Sequence, residues 1–353
     1  MEYIGFDYHK QYTIATGINK ETGEMRQERL ENTHESISNF ILDPENTHAV
    51  FESSYSWPVF YNIINEYVAS VKLAHPAKVK AIASAKIKTD KIDSKILAEL
   101  LSADLIPEAH IRLGDNREKQ KVLRQRAFFV NMRSRVKNRI HAIINNQPHE
   151  VRKDVEGLSD LFGKAGMDWL RKVQELSKTD RTLLDQMLVI YDMLVETIKQ
   201  SNKMIDELFK KDEDAQLLES MSGVGKFLAV LLSTEIDGIG RFDSAKKLAS
   251  YTGIVPSTYS SGGKTWHGKI TKEGNKWLRW AFIEVALSAK KHNAQLNSFY
   301  TKKFQRTGNR KKAKVALANR IITIAFRILR DRTPFETYKK PNFNNKKMSR
   351  VAL

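Results

Sequence analysis

The amino-acid sequence predicts an α/β fold over residues 1–110 and a mainly helical structure from residue 111 to the C-terminus. Two observations support this division. Short apolar runs bounded by turn residues fill the first part, whereas apolar residues three and four apart fill the second. The charge also changes sign, because residues 1–110 carry 11 Lys and Arg against 16 Asp and Glu, and residues 111–353 carry 48 against 25.

The first part combines strand and helix patterns. Strands are predicted at five segments: 3–7, 12–18, 25–30, 48–52 and 71–74. Helices are predicted at three segments: 34–41, 57–68 and 91–101. Three antiparallel strands joined by short turns, followed by alternating strands and helices, form the element order of the ribonuclease H type of fold. We therefore predict that fold for residues 1–110.

Residues 111–215 have the periodicity of two long helices. The first carries apolar residues at helical spacing with a basic outer surface: Phe129, Met132, Val136, Ile140 and Ile143. The second carries apolar residues at heptad spacing: Leu184, Met187, Tyr191, Leu194, Ile198, Ile205 and Leu208. The pair predicts a coiled-coil hairpin, closed within one chain or forming a seam between two copies. The sequence slightly favours the seam.

Residues 216–335 form a third region, predicted to be mainly helical. Helix patterns at 227–236, 244–251 and 275–291 surround a polar, glycine-rich stretch at 254–269, which we expect to be irregular. A basic run at 302–314 leads into an apolar helix. Residues 336–353 are basic and poor in apolar side chains, a composition typical of a disordered tail.

Composition limits the possible functions of the chain. The 353 residues include no cysteine, which excludes thiol nucleophiles, Cys-ligated zinc and a disulfide scaffold. The net charge of +23 on residues 111–353 predicts a polyanionic partner, with a surface that serves only solubility as the alternative. No apolar run approaches the ~20 residues of a membrane span, and the N-terminus has a strand pattern. We expect a cytoplasmic protein that does not bind membranes.

Four carboxylates are candidates for a metal site. Asp7 and Glu52 close two apolar strands that are neighbours in a ribonuclease H order, so their side chains should meet at one sheet edge. Asp90 and Asp93 begin a helix and share one face. Such a set suits Mg²⁺ (or Mn²⁺) bound together with a phosphate. For the helical pair, an N-cap at Asp90 and a dipole-favoured position at Asp93 are the alternative.

Two further segments combine cations with glycine or serine. Gly223, Gly225 and Lys226 open a helix as in half of a helix-hairpin-helix, where backbone amides approach a phosphate, although a plain glycine turn has the same pattern. Ser260 and Ser261 precede two glycines, so a serine hydroxyl there could reach a phosphorus, although most such segments are only loops. Cations near these segments and near the helical carboxylates could contact nucleic-acid phosphates: Lys86, Lys88, Lys91, Lys95, Lys264, His267, Lys269, Lys272 and Arg279. For the lysines around Asp90 and Asp93, a solvated helix face is the alternative.

Five motifs, in this order along the chain, resemble the DEDD transposases of the insertion sequence 110 family: GFDYHK, FESSYSW, KTDKIDSKILA, SGVGKFLAVLLSTEI and LASYTGIVPSTYSSGGKTWHGKITKEGNKWLRWA. The resemblance runs from about Tyr3 to Ala281, and its last motif is the most specific. The helical middle matches only in type. One departure is Ser54, where many relatives have glycine.

The resemblance implies a RuvC-like domain of ribonuclease H fold at 1–110, a coiled-coil region at 111–215, a transposase domain at 216–335 and a basic tail. It places the acidic quartet on Asp7, Glu52, Asp90 and Asp93, and the nucleophile on Ser261, with Ser260 as the second candidate. Family members cut and rejoin DNA through a covalent phosphoserine, guided by a structured bridge RNA that pairs with donor and target DNA. Their active forms are dimers and tetramers in which a RuvC-like domain from one protomer meets a transposase domain from another.

The expected function is therefore that of a transposase in the cytoplasm of a bacterium or archaeon, associated with the nucleoid. The absence of a GxxxxGK[ST] loop agrees with a phosphoserine ester that retains the energy for religation. Two alternatives stay open from the residues alone. One is a metal-dependent nuclease resembling a Holliday junction resolvase, which uses water as its nucleophile. The other is a non-catalytic DNA-binding or RNA-binding protein.

Overall fold

The computed structural model describes residues 1–54, 56–83 and 89–335. The predicted tail at 336–353 lies outside these residues. The chain forms two compact units, Met1–Arg112 and the residues from Leu113 onward. Within the described ranges, no helix combines the length and the apolar character needed to cross a membrane.

The N-terminal unit contains a mixed five-stranded sheet. Its strands are β1 (Glu2–Tyr8), β2 (Tyr12–Asn19), β3 (Met25–Glu31), β4 (Thr47–Glu52) and β5 (Ser70–Ala74). Their order is β3-β2-β1-β4-β5, with antiparallel pairing among the first three and parallel pairing of β4 with β1 and β5. The five predicted strands and the predicted pairing of β1 with β4 are confirmed, and the sheet is consistent with a fold of the ribonuclease H type.

Helices pack on both faces of this sheet. They are α1 (His34–Phe40), α2 (Trp57–Ile64), α3 (Pro76–Ile82) and α4 (Asp90–Ser102). Phe6 and Phe51 point toward α1 and α2, where they join Phe60 in one buried cluster. Val50, the neighbour of Phe51, points the other way and packs against Leu97 of α4. Alternation along each strand therefore gives the sheet two apolar faces, as expected of a parallel centre covered by helices.

The C-terminal unit is mainly helical. Its helices are α5 (Gly114–Asn145), α6 (His149–Glu156), α7 (Lys164–Lys172), α8 (Lys178–Lys210), α9 (Glu213–Glu219), α10 (Lys226–Ile236), α11 (Ala245–Thr252), α12 (Lys276–His292), α13 (Ala294–Thr307) and α14 (Arg310–Asp331). Its two strands are β6 (Pro256–Ser261) and β7 (Lys264–Ile270). The basic run and the apolar helix predicted near the C-terminus belong to α13 and α14.

The long helices α5 and α8 pack against each other within the chain. Leu123 of α5 shares a buried cluster with Ile205 of α8, and Ile140 shares another with Leu184. This pairing makes the two helices antiparallel. Most of the heptad residues of α8 are buried in this way. The heptad face of α8 therefore packs within the chain, as in the closed hairpin. The favoured alternative, a seam between two copies, is wrong for this face.

Residues 254–269 are not irregular, in contrast to the prediction. They contain most of an antiparallel β-hairpin, in which Ser261 pairs with Lys264 around the turn Gly262-Gly263. Both glycines have positive φ values, 56° and 74°, as a two-residue hairpin turn of type I′ requires. The prediction failed because both strands are exposed and mostly polar, which weakens the usual alternation of apolar and polar residues.

Candidate active site

The first two carboxylates lie at the ends of neighbouring strands. Phe6 of β1 and Phe51 of β4 are partners in the parallel register. Asp7 and Glu52 follow them directly, and both are partly buried. Because the strands are parallel, their carboxyl ends meet at the same edge of the sheet. The expected proximity of these two strand ends is therefore present.

The other two carboxylates lie in the first turn of α4. The Thr89 side chain caps this helix by accepting a hydrogen bond from the Ile92 amide at 3.3 Å. Asp90 is therefore the first helical residue and not the N-cap, so the capping alternative is wrong for this residue. Both Asp90 and Asp93 remain in the first turn, where the positive end of the helix dipole favours a negative charge.

Close packing holds this turn against the sheet. Gly5 permits it, because a Cβ atom at that position would lie 2.2 Å from the Ser94 carbonyl oxygen. The hydroxyls of Thr16 and Ser94 form a buried hydrogen bond of 2.8 Å. Gln27 donates to the Thr16 hydroxyl at 2.8 Å and to the Lys91 carbonyl at 2.9 Å. These contacts fix the start of α4 beside β1, β2 and β3.

His9 and Tyr12 complete this cluster. The Nε2 atom of His9 lies 3.1 Å from Oδ2 of Asp7 and 3.3 Å from Oδ2 of Asp90. The Tyr12 hydroxyl donates to the same oxygen of Asp90 at 2.9 Å. Asn32 donates to the His9 carbonyl at 2.8 Å and so supports the turn between β1 and β2. Asp7 and Asp90 are thereby brought together around one imidazole.

The ionisation of the cluster reflects this crowding. Burial raises the pKa of the Asp7 carboxyl above its ordinary value of 3.8, His9 lowers it, and the negative charges of Asp90 and Asp93 raise it again. The net result is a raised pKa. The hydrogen bond to Asp90 also raises the pKa of the Tyr12 hydroxyl. A bound cation would stabilise the ionised Asp7 carboxyl against both its burial and the repulsion from Asp90 and Asp93.

The donor set fits a divalent metal. One ligand atom from each of Asp7, His9 and Asp90 lies within 4.8 Å of the other two. Carboxylate oxygens suit both Mg²⁺ and Mn²⁺, and an imidazole nitrogen suits Mn²⁺ better than Mg²⁺. Asp93 adds a nearby negative charge, and Glu52 ends the adjacent strand. Asp7, His9 and Asp90 could hold one such ion beside a phosphate, and Glu52 and Asp93 are not part of this group in the described residues.

The serine segment lies at the tip of the hairpin β6–β7. Ser261 is the last residue of β6 and is exposed to solvent. Ser260 pairs with Thr265, and their hydroxyls lie 3.1 Å apart. Tyr259 pairs with Trp266 on the adjacent register position, and their rings stack with an interplanar angle of 19°.

The two serines lie on opposite faces of the hairpin, because side chains alternate along a strand. Ser261 shares its face with Tyr259, Lys264 and Trp266. Ser260 lies on the other face with Thr265. The Ser260 hydroxyl is engaged across the strands, whereas the Ser261 hydroxyl makes no hydrogen bond within the described part of the chain.

Two segments of the chain match known protein families. Residues 4–146 match a transposase family of the DEDD type named for IS110, and this segment contains all four carboxylates. Residues 215–301 match the transposase IS116/IS110/IS902 family and contain the hairpin. Both segments are therefore similar to transposases of the IS110/IS116 type.

Individual members of this family are similar over different lengths of the chain. The uncharacterized 44.8 kDa protein of insertion element IS116 from Streptomyces clavuligerus is 30% identical over 40% of this chain and 36% of its own length. The transposase for IS1328 from Yersinia enterocolitica is 28% identical over 63% of this chain and 65% of its own length. The transposase for IS1111A from Coxiella burnetii is 24% identical over 76% of this chain and 72% of its own length. The chain thus spans less than two thirds of the first two relatives.

The structure describes only some of the lysines predicted to contact nucleic acid near Asp90 and Asp93. Lys91 lies in the first turn of α4 and is exposed. Lys86 and Lys88 lie outside the described residues.

The predicted glycine-rich turn before α10 is present, and its two glycines differ. Gly223 has a φ of 88°, and a Cβ atom there would lie 2.6 Å from the Ala289 amide nitrogen, so packing against α12 already requires glycine. Gly225 is exposed and is the N-cap of α10. Lys226 forms an ion pair of 3.1 Å with Asp206. Packing therefore accounts for Gly223, whereas Gly225 serves as the exposed N-cap of α10.

The cations around the family's last motif also differ. Lys264, Lys269 and Lys272 are exposed on or beside the hairpin. Arg279 is half-buried and donates to the Thr252 carbonyl at 2.9 Å, which ties α12 to the end of α11. The three lysines are available to a ligand, whereas Arg279 has a structural contact.

His9 and Tyr12 were not among the predicted site residues. Both lie close to Asp7 in the sequence, and His9 is only two residues away. An imidazole in the turn that follows a strand-end aspartate was a usable signal. The contact of Tyr12 with Asp90, 78 residues along the chain, depends on tertiary structure.

Proposed function

We propose that this chain is a DNA transposase that cuts and rejoins strands through a covalent phosphoserine at Ser261. A divalent metal, Mg²⁺ or Mn²⁺, is held by Asp7, Glu52, Asp90 and Asp93. The observation that carries the proposal is the meeting of Asp7, Asp90 and His9 at the strand edge of a segment that matches DEDD transposases. The named relatives that are transposases of insertion sequences support the same class of reaction.

The chemistry exchanges one phosphoester for another. The Ser261 oxygen bonds to a DNA phosphorus and loses its proton, while the bond from phosphorus to one deoxyribose oxygen breaks and that oxygen takes up a proton. When bound, the metal supplies positive charge to the phosphoryl oxygens. The exchange conserves the number of ester bonds, so religation by the reverse attack needs no ATP.

The exposed position of Ser261 supports its role over that of Ser260. A hydroxyl at the tip of a hairpin can reach a phosphodiester, and Lys264 on the same face supplies positive charge nearby. The Ser260 hydroxyl faces the opposite side, where it contacts Thr265. A neighbouring serine therefore cannot replace Ser261 without a change in the strand register.

Further parts of the proposal concern organisation and partners. The N-terminal unit acts as a RuvC-like domain of ribonuclease H fold, residues 111–215 as a coiled-coil region, and residues 216–335 as the transposase domain. A structured bridge RNA guides donor and target DNA, and the active form is a dimer or tetramer. The basic C-terminal unit, with a net charge of +23 from residue 111, supports binding of both nucleic acids.

A metal-dependent nuclease is the second candidate. The carboxylate cluster is compact without the serine, and in the described chain Ser261 has no hydrogen-bonded base that would take its proton. A nuclease of this kind activates water and leaves Ser261 without a chemical role. It therefore predicts cleavage without a protein–DNA bond.

The decisive experiment uses end-labelled DNA carrying the element's ends, together with RNA transcribed from its flanks. Parent, Ser261→Ala and Ser260→Ala proteins are incubated with these in Mg²⁺ or Mn²⁺, and label is sought on denatured protein. We expect an adduct with the parent and Ser260→Ala, none with Ser261→Ala, and none after EDTA. Cleavage by the parent without an adduct would establish the nuclease instead.

A further inference from the structure

A large groove lies between the base of the hairpin and helices α13 and α14, away from Ser261 at the hairpin tip. Its volume is about 1540 Å³, which exceeds the ~300–1,000 Å³ of a typical small-molecule site. Most of the residues that line it come from β7, the loop after β7, α13 and α14. Its size points to a segment of a polymer.

The charge of the groove has one sign. Seven cations line it, and no Asp or Glu does: Lys269, Lys272, Lys303, Lys311, Lys312, Arg320 and Arg327. Some other cations of this unit are neutralised, as Lys119 is by Asp212 and Arg332 by Glu213. For the seven groove cations, no carboxylate in the described ranges lies within the 4.0 Å of an ion pair. Their charge is left for a ligand.

The position of two of these lysines supports the same conclusion. Lys311 and Lys312 lie in the first turn of α14, whose N-cap Asn309 accepts hydrogen bonds from both of their amides. That turn contains no acidic residue. Positive charges at a helix N-terminus are unfavourable, so the helix gains nothing from these side chains. A phosphate at this point would contact both lysines and the positive end of the helix.

Apolar side chains also line the groove, and Lys303 and Arg320 lie over the ring of Phe299, 5.6 and 5.0 Å from its centroid. Leu296, Phe299, Val315 and Ile324 line it together with Ile270. A duplex presents phosphates and hides the faces of its bases, whereas an unpaired strand exposes both. Cations combined with an apolar wall therefore match an unpaired strand. The segment that follows Phe335 is itself basic, so like charge disfavours it as the occupant.

We propose that this groove binds an unpaired nucleic-acid strand of several nucleotides, with phosphates on the seven cations and bases against the apolar wall. The inference rests on the proposed function, which supplies two sources for such a strand: opened DNA and the single-stranded parts of the guide RNA. The shared chemistry is a phosphodiester chain with exposed bases.

The test measures binding of fluorescent oligodeoxythymidylate, oligouridylate and a DNA duplex of equal length to the full chain without divalent metal. The groove variant is Lys311→Ala/Lys312→Ala, and the control is Lys291→Ala/Lys302→Ala, which removes two exposed lysines outside the groove. Each phosphate contact on a single strand contributes about 0.7 to the salt slope, so the groove variant should lose about 1.4. At 0.1 M salt that loss corresponds to about 25-fold weaker binding.

The outcomes separate cleanly. We expect the control to bind single strands within about twofold of the parent, and Lys311→Arg/Lys312→Arg to restore binding, with equal melting temperatures throughout. Tighter binding of one homopolymer identifies its source as DNA or RNA. Equal loss in both double variants, no loss in the groove variant, or an equal loss on duplex would overturn the proposal. Because this assay involves no cleavage, absence of a Ser261 adduct in the parent would refute the proposed function and leave the groove result intact.

Discussion

Acidic side chains in the two units are neutralised in different ways. In the C-terminal unit, Glu235 is fully buried, and its carboxylate accepts hydrogen bonds from Gln120, Arg124 and Asn275 at 2.7–3.1 Å. The carboxylate of Asp212 accepts a hydrogen bond from the Lys119 ammonium at 2.9 Å. These buried acids have cations supplied by the fold itself, which is the usual condition for burying a charge.

The N-terminal unit does the opposite at its strand edge. Asp7 and Asp90 share the His9 imidazole, and in the described part of the chain no Lys or Arg nitrogen lies within 4.0 Å of either carboxylate. The pKa of Asp7 is raised as a result of burial and of its acidic neighbours. The comparison shows that this protein pairs its buried acids with cations in the C-terminal unit. It leaves the negative charges of Asp7 and Asp90 without a Lys or Arg partner in the described residues, as a metal site requires.

The largest expected effect comes from removing one of the unneutralised charges. Asp7→Asn or Asp90→Asn should lower the rate of adduct formation about a thousandfold, since a metal contributes several kcal/mol to stabilising charge in phosphoryl transfer. Single-turnover assays with the labelled DNA measure this rate. The matched control is Asp104→Asn, an exposed acid of the same unit that pairs with Lys72 and whose positive φ asparagine tolerates. Near-normal rates in the Asp7 and Asp90 variants would mean that these acids hold no metal.

The next effect tests the internally neutralised acid. Glu235→Ala should lower the free energy of unfolding by about 3 kcal/mol, because three donors lose their acceptor and a charge loses its partner. The value stays at the low end of the range because Arg124 is 43% exposed and can turn to solvent. Urea unfolding followed by circular dichroism measures it, with Glu150→Ala, an exposed residue of the same unit, as the control. A loss no larger than that of the control would contradict the comparison.

The smallest effect concerns the pH dependence of stability in EDTA. The pKa of the Asp7 carboxyl is higher in the folded state than its ordinary value of 3.8. The contribution of this group to folding stability is therefore favourable below pH 3.8 and is lost as the pH rises through the folded pKa. At neutral pH the ionised carboxyl is therefore a net cost, and Asp7→Asn should melt about 1–2 °C higher than the parent. The difference should shrink as the pH falls through the folded pKa. A lower melting temperature for Asp7→Asn at neutral pH would show that the cluster is stabilising.

Most of the N-terminal fold could be predicted because its signals are local. Buried strands such as 3–7 and 48–52 read as short apolar runs, and the acids that end them stand out by type. The cap at Thr89 was missed because threonine and aspartate have similar capping propensities and only geometry separates them. Tyr12 was missed because its partner Asp90 is distant in sequence.

The C-terminal unit was harder to predict in segments that lack a regular alternation of apolar and polar residues. The hairpin strands are exposed on both faces, so their alternation carries no hydrophobic signal, and only Gly262-Gly263 marked a turn. The basic run at 302–314 was recognised as a charge pattern. That its lysines join Lys269 and Lys272 in one groove depends on the packing of α13 and α14 beside β7, which no local pattern contains.

The antiparallel helices α5 and α8 also set a length. The 17 residues from Leu123 to Ile140 separate two hydrophobic clusters, and at 1.5 Å per residue they hold these clusters about 26 Å apart. Both helices cross the gap, so the spacing resists bending. Adding one residue to α5 would lengthen it by about 1.5 Å but rotate the distal cluster by about 100°. The helical hairpin therefore fixes the distance between the two clusters. Its packing should be preserved when both helices are lengthened by whole turns and should be lost when one residue is inserted.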